Sequence, residues 1–547
     1  MGPRTGRAVL VAAVLATACF ERGGARRPDA GAAAVAAVDA SAAAAVAEVA
    51  GDEPTGAADP TATITIAVEA EPAHLDPLVG ADAIVQRIAM GDVYEGLLSA
   101  ARVAAAPQPA LAERVEVSED GRCWRFTLRS GVRWHDGRPF GTPDVLATFA
   151  LLRPDSEAHS HLAGDFDDVV SVLAVAPGVV EVRFATTRPG RAEAFARLPM
   201  LPRGAAVDVR FAGKDSAGAA TPAWLTLTRG APGRRPVGTG PLRFVAWRAG
   251  DQITLERWDG YWGPAAPARR VVYAMQPDRG AALRALAAGT VDLVAQVPSE
   301  EADEFASQHR EVRIQRYELP AYLAAVYQLR GGPTADVRVR RALTMLLDRA
   351  TIARELFAGR ARVISGPYLP DDAATDPTIA PLPFDPAAAR LLVAELGEPA
   401  VTLLVPSESR TTARIADVWA ADARGVIALT VEPVPYADLL GRVREGRFTA
   451  VLMAFTTARD VDLWSRFHSQ GAGTGEGADN CGGLSDPEVD GVLERIRGEP
   501  EEARRAALGR ALHRRLHELQ PYGCITTDAR VALVRIAIIG AGVGGGV

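Results

Sequence analysis

The stretch Ala112–Val145, AERVEVSEDGRCWRFTLRSGVRWHDGRPFGTPDV, decides more about this chain than any other. Between Cys123 and Leu128 the residues alternate, with Trp124, Phe126 and Leu128 on one side and Cys123, Arg125 and Thr127 on the other. A repeat of two sends successive side chains to opposite faces of a pleat, so the segment reads as a strand with one face in a core. Asp120-Gly121 and Asp136-Gly137 bracket it with residues suited to tight turns. Thr142-Pro143-Asp144 then opens a helix, because proline is tolerated in the first turn, where its missing N–H has no partner to lose.

Outward from this module the chain alternates strands and capped helices, with no internal repeat. Phe384-Asp385-Pro386 starts a helix whose run Ala387–Leu396 is closed by Gly397. Ser485-Asp486-Pro487-Glu488 has the spacing of a capping box, followed by the apolar stripe Val489, Val492, Leu493, Ile496 and a stop at Gly498. After Asp336, the residues Val339, Ala342, Leu343, Leu346 and Leu347 recur at helical spacing. Short strands are expected at Val271–Met275, Val401–Val405 and Ala450–Phe455, the alternation of an α/β protein with mixed sheets.

Composition bounds the function without deciding it. A chain of 547 residues calls for two or three domains. Its formal net charge of −7 and the lack of a long basic run argue against a nucleic-acid partner. Lys214 is the only lysine, so arginine carries nearly all the positive charge.

The beginning of the chain points to a compartment. Arg4 and Arg7 precede the apolar run Ala8–Leu15 and then Ala16-Thr17-Ala18-Cys19, the order of a secretory signal peptide over residues 1–18. The run is too short to span a bilayer. Small residues before Cys19 resemble the bacterial lipobox, which implies a lipid on that cysteine. The match has the leucine four places before the cysteine, with Ala16 at the usual leucine position. Residues 19–60, built from Ala, Gly, Asp, Glu and Pro, are expected to form a disordered tether.

Four further segments accompany the opening one: EPAHLDPLVGADAIVQRIAMGDVYEGLL (Glu71–Leu98), PVGTGPLRFVAWRAGDQITLERWDGYWG (Pro236–Gly263), DVRVRRALTMLLDRATIARELFAG (Asp336–Gly359) and GGLSDPEVDGVLERIR (Gly482–Arg497). Taken in this order, they resemble the extracytoplasmic solute-binding proteins, family 5, of peptide and nickel ABC importers. The resemblance implies a two-lobed, periplasmic-binding-protein-like α/β fold (type II, three-domain, cluster C) with mixed sheets and an interlobe cleft that closes on its ligand. It implies a first lobe at 61–315, a second at 316–520, and a return strand to the first lobe within 521–547. It further implies no catalysis, no cofactor, no metal, a monomer, a small or peptide-like solute and an ABC permease as partners, with a ligand-presenting sensor as an alternative. Ligand contacts carried over from the family fall on Gly80 and Ala81, on Gln296 in DLVAQVP, on Tyr327 and Gln328, and on Phe455, Thr457, Asp460, Asp462 and Trp464. Gly238 and Gly240, flanked by Pro236 and Pro241, suit either a place beside the hinge or a plain turn.

One departure bears on the ligand. Peptide-binding members have an aspartate for the ligand's α-amino group three residues before the first acid of that last loop, and here Thr457 stands there. A hydroxyl cannot compensate an ammonium taken out of water.

Three features invite other readings. His159 and His161, with Asp165, Asp167 and Asp168, offer imidazoles and carboxylates for a metal-dependent hydrolase, against the alternative of an exposed acidic loop. His135 is expected to hold a hairpin instead of moving protons. At the far end, a strand Arg535–Ile539 runs into Gly540-x-Gly542-x-x-Gly545, the beginning of a dinucleotide fingerprint whose helix and acid do not follow, as in a truncated or misassigned frame. Beyond Cys19 the cysteines are Cys123, Cys481 and Cys524; their number leaves one thiol unpaired, and Cys481–Cys524 is a candidate bridge.

Overall fold

The computed structural model describes residues 61–536 except 73, 79–82, 100–105, 154–159, 161, 204–206, 215–219, 228–234, 458–459 and 475–478. Cys19 and the expected tether, Gly80, Ala81, His159, His161 and the terminal glycines lie outside the described residues.

A ten-stranded sheet runs through both lobes. In spatial order its strands are Leu242–Arg248, Gln252–Arg257, Arg270–Met275, Thr63–Val68, Leu293–Val297, Tyr522–Arg535, Val312–Tyr327, Ala450–Thr456, Ala400–Pro406 and Ala428–Val434. Thr63–Val68 is parallel to both Arg270–Met275 and Leu293–Val297 in the first lobe. In the second, Ala400–Pro406 is parallel to Ala428–Val434 and Ala450–Thr456. Two long antiparallel strands join the lobes, paired from Val312↔Arg535 to Val326↔Tyr522. The α/β, two-lobed architecture with mixed sheets is therefore what the chain adopts.

The opening module forms a separate four-stranded antiparallel sheet in the first lobe, in the order Ala112–Val117, Cys123–Leu128, Val179–Phe184, Val169–Ala176. Its alternation is met: Phe126 and Leu128 are buried, Trp124 is partly buried and Arg125 is exposed. Phe195 sits at the centre of an aromatic core, with ring centroids 4.6 Å from Phe126, 5.3 Å from Trp124 and 5.5 Å from Phe166. Gly121 and Gly137 take φ of 68° and 88°, the left-handed backbone their turns require.

Local readings are met or corrected by specific contacts. Gly397 ends its helical segment at φ 72°. The helix Pro487–Gly498 is capped by Asp486, whose Oδ1 accepts from the Val489 amide at 3.0 Å, and Ser485 is exposed. With proline in the first helical position, the residue immediately before it becomes the cap. The last described strand is Tyr522–Arg535, and residues 537–539 of the expected strand Arg535–Ile539 lie outside the described residues. Cys123, Cys481 and Cys524 are all free, so the candidate bridge is absent.

Gly238 and Gly240 are held by close packing inside the first lobe. A Cβ on Gly238 would lie 1.7 Å from the Val93 carbonyl oxygen, and one on Gly240 2.3 Å from that of Asp92. The segment is pressed against main chain, where only hydrogen fits. His135 locks it from the other side: its amide donates to the Gly238 carbonyl at 2.9 Å, Nδ1 accepts from the Gly238 amide at 3.2 Å, and Nε2 lies 2.9 Å from the Gly240 carbonyl oxygen. Glu95 accepts hydrogen bonds from Thr239, Tyr261 and Trp262. Three of the quoted motifs thus converge on one knot inside the first lobe.

Candidate functional site

The crevice follows from strand direction. Carboxyl ends of parallel strands leave unpaired main chain and outgoing loops, the usual place for a ligand in an open α/β sheet. In the first lobe Val297, at such an end, pairs with Val531 of one joining strand. In the second lobe Thr456, at another, pairs with Ala321 of the other joining strand. Because Val531 itself lies opposite Arg316, the two sets of carboxyl ends face each other across residues 316–321. There the ladder between the joining strands is irregular, passing from Glu318↔Ala529 to Tyr322↔Thr527. Pro320 lies in this irregularity and can donate no ladder hydrogen bond, so the pairing that would stiffen the joint is weakest where the lobes meet.

Some expected residues come to this crevice. Gln296 lies within the bulge between Val294 and Val297, next to the last residue of the first-lobe strand, with φ 60°. Thr457 leaves the second-lobe strand, and its amide donates to the Pro320 carbonyl at 2.6 Å. Asp460 follows with φ 52°. Left-handed backbone on a non-glycine residue costs on the order of 1–3 kcal/mol and collects at functional positions. Among the described residues only Ala358 and Gln520 share it with Gln296 and Asp460.

The side chains of the same loop are largely committed to the second lobe itself. Phe455 stacks between Tyr322 and Tyr522, at centroid distances of 5.5 and 5.0 Å. Asp462 accepts from the Trp464 amide at 3.0 Å and from Arg497 at 2.8 Å. Trp464 has the Arg497 guanidinium 4.2 Å from its ring centroid and the His468 ring at 4.4 Å. Asp460 is held by Arg505, whose Nε lies 3.0 Å from its Oδ1.

Tyr327 and Gln328 do not join the group. Tyr327 lies six residues beyond Ala321, about 20 Å along a strand, fully buried in the second-lobe core with its hydroxyl 3.4 Å from Thr344. Gln328 donates to the Gly446 carbonyl at 3.0 Å and accepts from Arg330. Asp528 and Arg530, absent from the expected set, sit on the joining strand beside the irregular ladder, Nε to Oδ1 at 3.1 Å. Opposite charges two residues apart in an otherwise mostly apolar strand were the available signal, as was proline within a strand for the joint.

Catalytic and metal chemistry find little support among the described residues. No group of three His, Cys, Asp or Glu side chains could hold a metal there. Asp165 pairs with Arg197 at 2.7 Å, Asp167 with Arg188 at 2.8 Å and Asp168 with Arg191 at 2.9 Å, so these carboxylates already have cations. Ser365 Oγ lies 3.1 Å from His513 Nε2, but Nδ1 of that ring accepts the Asp376 amide at 3.0 Å. The proton of the neutral ring is therefore on Nε2, which donates to the serine and cannot act as its base. Burial pushes His513 down to about 4, keeping it neutral.

Comparison with known proteins agrees with this geometry. The family model of bacterial extracellular solute-binding proteins, family 5 (middle), matches residues 106–476. Di/tripeptide-binding protein 2 of Pseudomonas aeruginosa is 26% identical over 487 residues, covering 84% of this chain and 88% of that protein. Heme-binding protein A of Haemophilus influenzae is 27% identical over 462 residues, 79% of this chain and 80% of the relative. The crystal structure of the ABC transporter substrate-binding protein CtaP from Listeria monocytogenes shares the fold, with a TM-score of 0.76 at 19% identity, covering 87% of this chain and 94% of CtaP. With its opposed strand ends, jointed connection and family match over most of its length, this chain belongs to the bacterial extracellular solute-binding proteins of family 5.

Proposed function

We propose that this protein is the substrate-binding component of an ABC importer, a receptor without catalytic activity that takes up a small or peptide-like solute between its lobes and delivers it to a membrane permease. The observation that carries the reading is the facing pair of carboxyl ends over an irregular two-strand joint. Two half-sites meeting over a joint exclude water only when brought together, so a solute touching both stabilises the closed form differentially. In this reading Cys19 carries a lipid, and residues 20–60 tether the monomeric receptor near the membrane outside the cytoplasm.

In this reading the ligand is held by Gln296 on the first lobe and by Thr457 and its loop on the second. The relatives above are named for di/tripeptide and heme binding, so kinship leaves the ligand class broad. Thr457 narrows it. A free α-amino group buried beside a hydroxyl instead of a carboxylate would bind about 3–5 kcal/mol more weakly, a few hundredfold or more in affinity. The preferred solute is therefore blocked or modified at its amino end, or is not a peptide. Native mass spectrometry of freshly purified protein tests the receptor reading through a retained small molecule. Calorimetry with matched free and N-acetylated di- to pentapeptides tests the ligand class. Submicromolar binding that vanishes on acetylation would refute it.

A further inference from the structure

We infer that Asp460 and Arg505 form a latch for lobe closure, their contact with the first lobe being what holds the cleft shut. This inference rests on the closing-receptor reading and assigns residues to the closing step. Arg505, on the helix Glu502–Leu519, organises two surfaces of the second lobe at once. Its Nε bonds both carboxylate oxygens of Asp460, at 3.0 and 3.1 Å. Its Nη1 donates to the carbonyls of Glu499 and Pro500, at 3.0 and 2.8 Å. The ion pair is mostly enclosed, with side-chain exposures of 12% for Arg505 and 18% for Asp460.

Both surfaces meet the first lobe. The Gly190 amide donates to Asp460 Oδ2 at 3.4 Å, and the Asp460 carbonyl oxygen lies 3.6 Å from where a Gly190 Cβ would stand. Beside it, the position of a Gly121 Cβ is 2.6 Å from Thr187 Oγ1 and 3.4 Å from Pro500 Cβ, which brings the Asp120-Gly121 turn against the Pro500 turn. The second-lobe half of this contact is assembled from second-lobe residues alone, so it persists when the lobes part. The first lobe adds a long hydrogen bond from the Gly190 amide to the carboxylate, the charge of Glu193 near Arg505, and close packing. A contact of that kind shifts the open–closed ratio by about tenfold and still releases readily.

Hydrogen–deuterium exchange on the full chain, with no solute added, is the test. Asp460→Asn removes the charge, and Thr187→Trp wedges the contact from the first lobe without touching the ion pair. Each variant is expected to speed exchange of amides 187–191 about tenfold while leaving the joining strands and the Phe195 core at wild-type rates. Unchanged exchange at 187–191 in both variants overturns the latch, as does acceleration throughout the lobe. Should Asp460→Asn fail to fold, Thr187→Trp decides alone. A protein that shows the local acceleration yet binds no solute would support the latch and count against the receptor reading, which keeps the two separable.

Discussion

Replacing Asp92 by asparagine removes a buried acid whose desolvation the Tyr273 hydrogen bond does not offset. Asp92 is wholly buried; Oδ2 accepts from the Tyr273 hydroxyl at 2.8 Å, and Oδ1 has no hydrogen-bond partner among the described residues. Burial pushes its carboxyl from 3.8 up to about 7, against a smaller lowering effect of the Tyr273 hydrogen bond. Between those values the folded protein holds a proton that the unfolded chain has released, so stability falls as pH rises through that window. Spanning the whole window corresponds to about 4 kcal/mol, of which about 3 kcal/mol falls between pH 5 and pH 8. Glu95, also pushed up to about 7 by burial, acts in the same direction. His135 and His513, each pushed down to about 4 by burial, act in the opposite one, adding stability as pH rises from about 4 to 6.5. The wild-type profile mixes these contributions, whereas the difference between wild type and Asp92→Asn isolates one. Urea unfolding at half-unit steps from pH 5 to pH 8 should show the variant gaining on the wild type by about 3 kcal/mol, nearly all of it by pH 7. Parallel profiles would refute the argument that Asp92 is an uncompensated buried acid.

Gly238→Ala should abolish cooperative thermal unfolding or cost at least about 4 kcal/mol, because its methyl would overlap the Val93 carbonyl. Gly137→Ala, with φ 88° but nothing within 4 Å, should cost only about 1 kcal/mol; similar losses for the two would contradict the close-approach argument. Cys19→Ser should move the protein from the detergent phase to the soluble extracytoplasmic fraction, since acyl chains contribute about 0.8 kcal/mol per buried CH₂; equal partitioning would refute the lipid anchor.

The fold was legible where local chemistry and tertiary packing agree. Phe126 and Leu128 alternate because that strand has one buried face, and Gly397 marks a real left-handed stop. Asp486 displaced Ser485 as the cap because proline fixes the cap position more strongly than the spacing of a capping box does. Gly238 and Gly240 suit a place beside the hinge or a plain turn by sequence, yet they are pressed against the Val93 and Asp92 carbonyls, since a close approach by distant main chain leaves no local sign. Gln296 and Thr457 lie at the carboxyl ends of Leu293–Val297 and Ala450–Thr456, next to the joint. Tyr327 and Gln328 were carried over by analogy to a strand that continues into the core. The arginines that hold Asp460 and Asp462, Arg505 and Arg497, lie tens of residues later in the chain, so these pairings leave no local sign.

Small-angle scattering of the protein from residue 61 onward, with and without the solute identified by native mass spectrometry, tests the central claim most directly. A receptor whose half-sites meet over an irregular joint becomes more compact at saturation. An unchanged radius with the site demonstrably filled would contradict closure of the lobes on the ligand.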